Sequence, residues 1–234
     1  METTPEMTTT LYLIRHGETD GGDTKRYHGS IDIPLSDRGK QQVAEKAAVL
    51  VQHLLHGNTA KYLSYLRDVH GSPDHAAGPA SEGQGLSAVY CSGLTRAVQS
   101  AEIIAKPHSL SPVRIADLRE RSFGLWEGMT FSEIKEDYPN EFAAWAANPL
   151  AYSPMGGETT LAVRDRVIGA VDTILSEHAG QDVAVVAHGG VNRIILCHIL
   201  GIPLENLFRI EQDYAALNII EFWEKYPVLK LLNG

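Results

Sequence analysis

Cysteine is scarce, long apolar runs are absent, and positive charge is in deficit. Only Cys91 and Cys197 occur in 234 residues, at unrelated positions, so no disulfide framework can be read from the chain. No apolar run approaches the ~20 residues needed to span a bilayer. Met1 to Thr10 is polar and lacks the apolar core of a secretion signal, so the expected compartment is the cytoplasm. Lys and Arg number 20 against 29 Asp and Glu, a formal charge of −9, which argues against nucleic acid or an anionic membrane as the main partner. Three phosphate chemistries are also missing their signatures. There is no Gly-x4-Gly-Lys-Ser/Thr loop and no His-x3-His pair, and Cys91 is separated from Arg96 by four residues where a cysteine phosphatase loop needs five.

What is present is concentrated around two histidines. His16 closes Leu11-Tyr12-Leu13-Ile14-Arg15-His16-Gly17-Glu18-Thr19, and His188 closes Val183-Ala184-Val185-Val186-Ala187-His188-Gly189-Gly190. A short apolar run bounded by glycine reads as a buried parallel strand, and ligands of open α/β sheets collect beyond the carboxyl ends of such strands. If the two strands are neighbours, about 4.8 Å apart, the rings converge on one small group. Arg15 precedes the first histidine, and Arg96 follows Tyr90-Cys91-Ser92-Gly93-Leu94-Thr95, where another strand gives way to a helix. Two guanidinium forks beside two histidines suit a tetrahedral dianion, so the expected ligand is phosphate. Lys25, Arg26, Arg119, Arg121 and Arg193 add local positive charge. His16 and His188 with Glu18 or Glu120 could in principle hold a metal, but the adjacent arginines would repel the cation. The other eight histidines read as surface or satisfied core residues, with His28 the exception to watch because it adjoins the first motif.

Strands and helices alternate, with 44% hydrophobic residues, as expected of one large α/β domain. Ser36 is placed to cap a helix carrying Val43, Ala47, Leu50, Val51, Leu54 and Leu55 until Gly57. Further helices are expected at 94–105, after the Thr130/Glu133 capping box, after Gly157, and at 191–200, with late strands at 217–222 and 228–232. Residues 1–10 read as a flexible tail and 11–234 as a single domain. Within it, 58–85 reads as an irregular insertion, either disordered or a surface excursion, or else a lid, partner or oligomer contact, and a homodimer is an open expectation.

The ordered set Arg15-His16-Gly17-Glu18-Thr19, Gly29 with Pro34-Leu35-Ser36, Ser92 to Ala97, Leu118-Arg119-Glu120 with Phe123-Gly124-Leu125-Trp126-Glu127-Gly128, Gly156-Gly157-Glu158, and His188-Gly189-Gly190 with Arg193 resembles the histidine phosphatase (phosphoglycerate mutase-like) superfamily. The resemblance implies an α/β three-layer sandwich, a mostly parallel central sheet with helices on both faces, in which 118–155 caps the substrate. It implies that His16 takes up the phosphoryl group, that Arg15, Arg96, Gly189 and a protonated His188 hold its oxygens, and that Glu120 serves as acid and then base. Glu127, in the same loop, competes for that role. The scheme needs no metal or cofactor, and the implied partner is a small-molecule phosphate ester. Mutases of the superfamily carry a long insertion after the acidic residue. The short form here implies that water reaches the phosphohistidine and that the enzyme is a phosphatase.

Most relatives have Trp-Asn soon after Glu-Thr, where this chain has Gly21-Gly22, so one expected phosphate contact is missing. The stretch from Arg15 through Gly22, Lys25, Arg26, Tyr27 and His28 to Ser36 resembles the alpha-ribazole phosphatases of cobalamin biosynthesis. That resemblance implies substrate contacts at Gly22, Lys25, Arg26, Tyr27, His28 and Trp126. Trp126, Phe131, Tyr138 and Trp145 are either core of the capping segment or a receiver for an aromatic base. A broad phosphatase of sugar or other small phosphate esters is the alternative, ahead of a mutase or a non-catalytic phospho-ligand module.

Overall fold

The computed structural model describes residues 8–22, 26–56, 85–223 and 226–234. Lys25 and nearly all of the 58–85 insertion therefore lie outside the described residues. Six strands form one sheet in the order β3-β2-β4-β1-β5-β6. β1 (Thr9–Arg15), β2 (Ala88–Cys91), β3 (Val113–Arg114) and β4 (Asp182–Ala187) run parallel. β5 (Leu217–Phe222) is antiparallel to β1, and β6 (Pro227–Leu231) is antiparallel to β5. The first strand starts earlier than polarity suggested. Thr9 and Thr10, read from sequence as tail, are buried ladder residues opposite Phe222 and Glu221.

The period-two alternation of a strand divides the core into two layers. Tyr12 and Ile14 of β1 face helices α1 (Asp37–His56) and α2 (Thr95–Ala105), packing with Val43, Leu50, Ala101 and Ile104. Leu11 and Leu13 face the other way, onto Val163, Val167 and Ile174 of α5 (Thr160–Glu177) and Ile195 of α6 (Gly189–Ile199). The result is the expected three-layer sandwich. Ser36 caps α1 as expected, its Oγ accepting from the Gly39 N–H at 3.0 Å.

Between β3 and α5 the chain forms the short helices α3 (Phe131–Asp137) and α4 (Pro139–Ala147). Thr130 opens α3 with a full capping box: its hydroxyl accepts from the Glu133 N–H, and Glu133 accepts from the Thr130 N–H. In the sequence Pro139 reads as an interruption of this helix, and the structure gives it a second role. It occupies the first turn of α4, where its missing N–H costs nothing.

Candidate active site

Strand order places the two histidines. β2, β4 and β1 are consecutive neighbours, so Ser92, His188 and His16, which follow their last residues, stand side by side at the carboxyl edge. The His16 N–H continues the ladder to the Ala187 carbonyl at 3.0 Å. The two rings lie 5.1 Å apart, centroid to centroid. His16 is buried, and its Nδ1 lies 2.7 Å from the Gly17 carbonyl. A carbonyl can only accept, so Nδ1 carries the hydrogen and Nε2 keeps its lone pair. Gly17 is needed for this turn. A Cβ there would run into the Gly39 backbone of α1, which packs directly beneath it.

Burial and the nearby Arg15 and Arg96 charges hold the His16 pKa well below the usual histidine value, so the ring is neutral near pH 7. The same holds for His188, where burial acts first, then His16 and both arginines. The expectation of a protonated second histidine is therefore corrected for this site: three neighbouring groups that carry or can take positive charge stand close to a ring shut off from water. His188 Nε2 lies 2.7 Å from Ser92 Oγ, which also accepts from the Leu94 N–H at 3.4 Å. The serine hydroxyl can then give its hydrogen to Nε2, which leaves a hydrogen on Nδ1. That nitrogen is buried and without a partner among the described residues, a donor suited to a phosphate oxygen.

Both arginines are aimed by backbone carbonyls. Arg96, at the start of α2, donates to Gly29 O at 2.7 Å and Ile31 O at 2.8 Å. Arg15 donates to Gln212 O at 2.6 Å. Asn192, with its amide turned to meet both neighbours, accepts from Arg15 N and donates to His188 O, coupling the two strand ends.

Glu120 reaches the same place from the opposite side. Its Oε2 accepts from the Gly190 N–H at 3.0 Å and its Oε1 from the Arg121 N–H at 2.9 Å. Gly190 permits this approach, because a Cβ there would stand 2.7 Å from Glu120 Oε1. Glu127 instead accepts from Ser30 N, Ser30 Oγ and Phe123 N at 2.6–3.0 Å, tying two loops together.

Part of this cluster lines a cavity of about 250 Å³, whereas His188, fully buried behind it, is not among the lining residues. Arg15, His16, Arg96, Glu120, Gly189 and Arg193 line it, as do Arg26, Tyr27, His28 and Trp126; Glu127, Gly22 and Tyr138 do not. Arg119 is also elsewhere, paired with Glu158 at 3.0 Å. Arg26 forms a bidentate pair with Glu133 at 2.8 and 3.0 Å. The far wall is apolar. Trp126, Phe131, Phe142 and Trp145 come from the segment 118–155, and Leu207 and Phe208 join them. Phe208 and Tyr214 were not legible as site residues, because their segments carry no motif and only the fold brings them to the cavity.

Donors arranged around a bare imidazole nitrogen at the strand ends of a three-layer α/β sandwich define a phosphoryl-transfer enzyme. The chain matches the model of the histidine phosphatase superfamily (branch 1) over residues 11–67 and 74–234 and belongs to that superfamily. It is a phosphoric monoester hydrolase. It is 30% identical to phosphoserine phosphatase 1 of Hydrogenobacter thermophilus, over 95% of this chain and 91% of that one. Identity to the adenosylcobalamin/alpha-ribazole phosphatase of Escherichia coli is 26%, over 96% and 95%. The crystal structure of a putative alpha-ribazole-5'-P phosphatase from Escherichia coli superposes with a TM-score of 0.75 at 27% identity, covering 97% of this chain and 96% of that one.

Proposed function

We propose that the chain hydrolyses phosphate monoesters through a phosphohistidine on His16 and that its specific substrate is alpha-ribazole 5'-phosphate. The observation that carries the chemistry is the Nδ1–H to Gly17 O bond, which presents Nε2 as a neutral nucleophile toward the cluster of donors. Nε2 attacks phosphorus as the ester P–O bond breaks. Arg15, Arg96, His188 and the Gly189 N–H at the start of α6 meet the charge on the equatorial oxygens. Glu120 gives its proton to the departing alkoxide. It then takes one from the water that attacks phosphohistidine, releasing inorganic phosphate and restoring the ring.

The substrate assignment rests on the cavity's far wall. Trp126, Phe131, Phe142, Trp145 and Phe208 offer faces and edges to a flat apolar body. A phosphoserine leaving group would instead bring a buried ammonium, and among the described lining residues Glu120 is the lone carboxylate, already committed at the phosphate end. The two relatives' names thus point in different directions, and the wall favours the ribazole. Cys91 and Cys197 are buried and unpaired, in keeping with a reducing cytoplasm, where we place the reaction.

Rapid-quench labelling with a 32P-labelled aryl phosphate, with and without chelator, tests the route. Acid-labile, base-stable label on His16, lost in His16→Ala, is expected; label on Cys91 overturns it. Comparing kcat/KM for alpha-ribazole 5'-phosphate, phosphoserine and a sugar phosphate tests the substrate. A preference of at least ~10²-fold for the ribazole ester is expected from burial of a bicyclic aromatic surface. Equal values on all three identify a broad phosphatase.

A further inference from the structure

Tyr214 lines the cavity beside both His16 and Arg15. Its ring lies 4.1 Å from the Arg15 guanidinium carbon and 5.9 Å from the His16 ring. Arg15 is anchored through Nη1 to Gln212 O, while its buried Nε has no partner among the described residues. A guanidinium tied at one nitrogen can still pivot, and an aromatic face beneath it fixes the plane in which its other donors point.

The phenol hydroxyl extends toward Gly22. A Cβ on Gly22 would lie 3.1 Å from Glu18 Cγ, 3.2 Å from the Tyr214 oxygen and 3.5 Å from the hydroxyl of Thr19, a cavity-lining residue. A side chain at position 22 would thus crowd the phenol oxygen as well as Glu18, and the glycine leaves room for both. Among the described residues the hydroxyl has no hydrogen-bond partner, so its donor is available to a ligand.

The backbone around Tyr214 is held firmly for a loop. Ala215 adopts φ 57°, a left-handed conformation that costs a residue with a Cβ, and its N–H donates to the carbonyl of His16 itself at 3.0 Å. On the other side the Asp213 N–H donates to Asn233 Oδ1 at 2.7 Å, and Asn233 Nδ2 donates to Asp213 Oδ2 at 2.9 Å. Such strain persists where the surroundings over-determine it, and here they fix a residue that touches both Arg15 and the space beside Gly22.

We infer that Tyr214 is a catalytic residue: its ring aligns Arg15, and its hydroxyl, standing where Gly22 leaves room for it, donates a hydrogen bond to the transferring phosphoryl group. The inference rests on the proposed role of His16. Tyr214→Phe keeps the ring and removes only the donor, Tyr214→Leu removes both, and Gly22→Ala crowds the hydroxyl from outside. With 4-nitrophenyl phosphate as substrate, Tyr214→Phe is expected to lower kcat on the order of 10²-fold. Its inhibition by orthovanadate, which mimics the five-coordinate transition state, should weaken in parallel. Tyr214→Leu should lose more, and Gly22→Ala should fall between wild type and Tyr214→Phe. Wild-type kcat and vanadate inhibition in a folded Tyr214→Phe overturn the inference. If the wild-type enzyme itself carries no label on His16, the reading of His16 fails; if it labels normally and Tyr214→Phe matches it, only the role of Tyr214 fails.

Discussion

Glu120 and Glu127 carry the same carboxyl group in the same loop, and only their neighbours separate them. Glu120 sits against Gly190 and Arg121 and lines the cavity. Glu127 spends its acceptors on Ser30 and Phe123. Glu120→Gln is therefore expected to lower kcat on alkyl phosphates by roughly 10²–10⁴-fold and on 4-nitrophenyl phosphate much less, since an aryl leaving group needs little protonation. Glu127→Gln should affect both esters alike and lower the melting midpoint, because it loosens two loops. A glutamine at 127 that selectively lost alkyl turnover would exchange the two roles. The sequence left both glutamates open because it shows a shared loop and no partners. It did point to His16, Arg15, Arg96 and His188, because each stands within a few residues of the end of its own strand. Tyr214 gave no such signal: its partners, Arg15 and Gly22, are about 200 positions away.

Helices were legible where local chemistry marked them, as at Ser36 and Thr130, but Pro139 read as an interruption and not as the start of α4, and the two-residue strand β3 was not legible, because its pairing with β2 is set by the sheet rather than by its own residues. The mechanical role of α5 was equally hidden. Its Arg166 donates to the carbonyls of Asp117 and Arg119 at 2.6 and 2.7 Å and makes two bonds to Glu158 at 2.9 and 3.0 Å. Glu158 in turn accepts from the Ser122 N–H at 3.0 Å, and its own N–H donates to Ser122 O at 2.9 Å. The segment bearing Glu120 is thus gripped on both flanks by groups outside the cavity. Arg166→Leu should cost about 2–3 kcal/mol of stability, since it removes two of the bonds to a partly buried carboxylate, leaving it to Arg119 and the Ser122 N–H, and frees the carbonyls of Asp117 and Arg119. A urea midpoint measures that loss. If the clamp also positions Glu120, kcat on alkyl esters falls further than on aryl esters. Equal falls on both would limit Arg166 to stability.

Across the whole molecule, the site is assembled by burying groups that water would otherwise charge. His16 and His188 have pKa values held well below the ordinary 6.5, by burial first and then by neighbouring positive groups, and burial also lowers the partly exposed His28, His53 and His108. Above pH 6.5 these rings are neutral in both the folded and the unfolded chain and leave stability unchanged. Below it the unfolded chain takes up protons that the folded chain refuses, so stability is lost as pH falls from 6.5 toward the folded values. Each fully shifted ring contributes up to about 1.4 kcal/mol per pH unit, the exposed ones less. Asp182 and Glu221 oppose this, because burial raises their pKa values and the folded chain then binds protons more readily. Two strongly shifted histidines and three weaker ones outweigh two carboxylates that start from a lower ordinary range. The melting midpoint is therefore expected to fall steadily between pH 6.5 and 5, before ordinary carboxylates titrate. His16→Asn and His188→Gln should each flatten that slope, since each removes one ring that resists its proton. A wild-type midpoint that stays level or rises from pH 6.5 to 5 would mean that water, or a rearranged arginine, relieves the buried rings in solution.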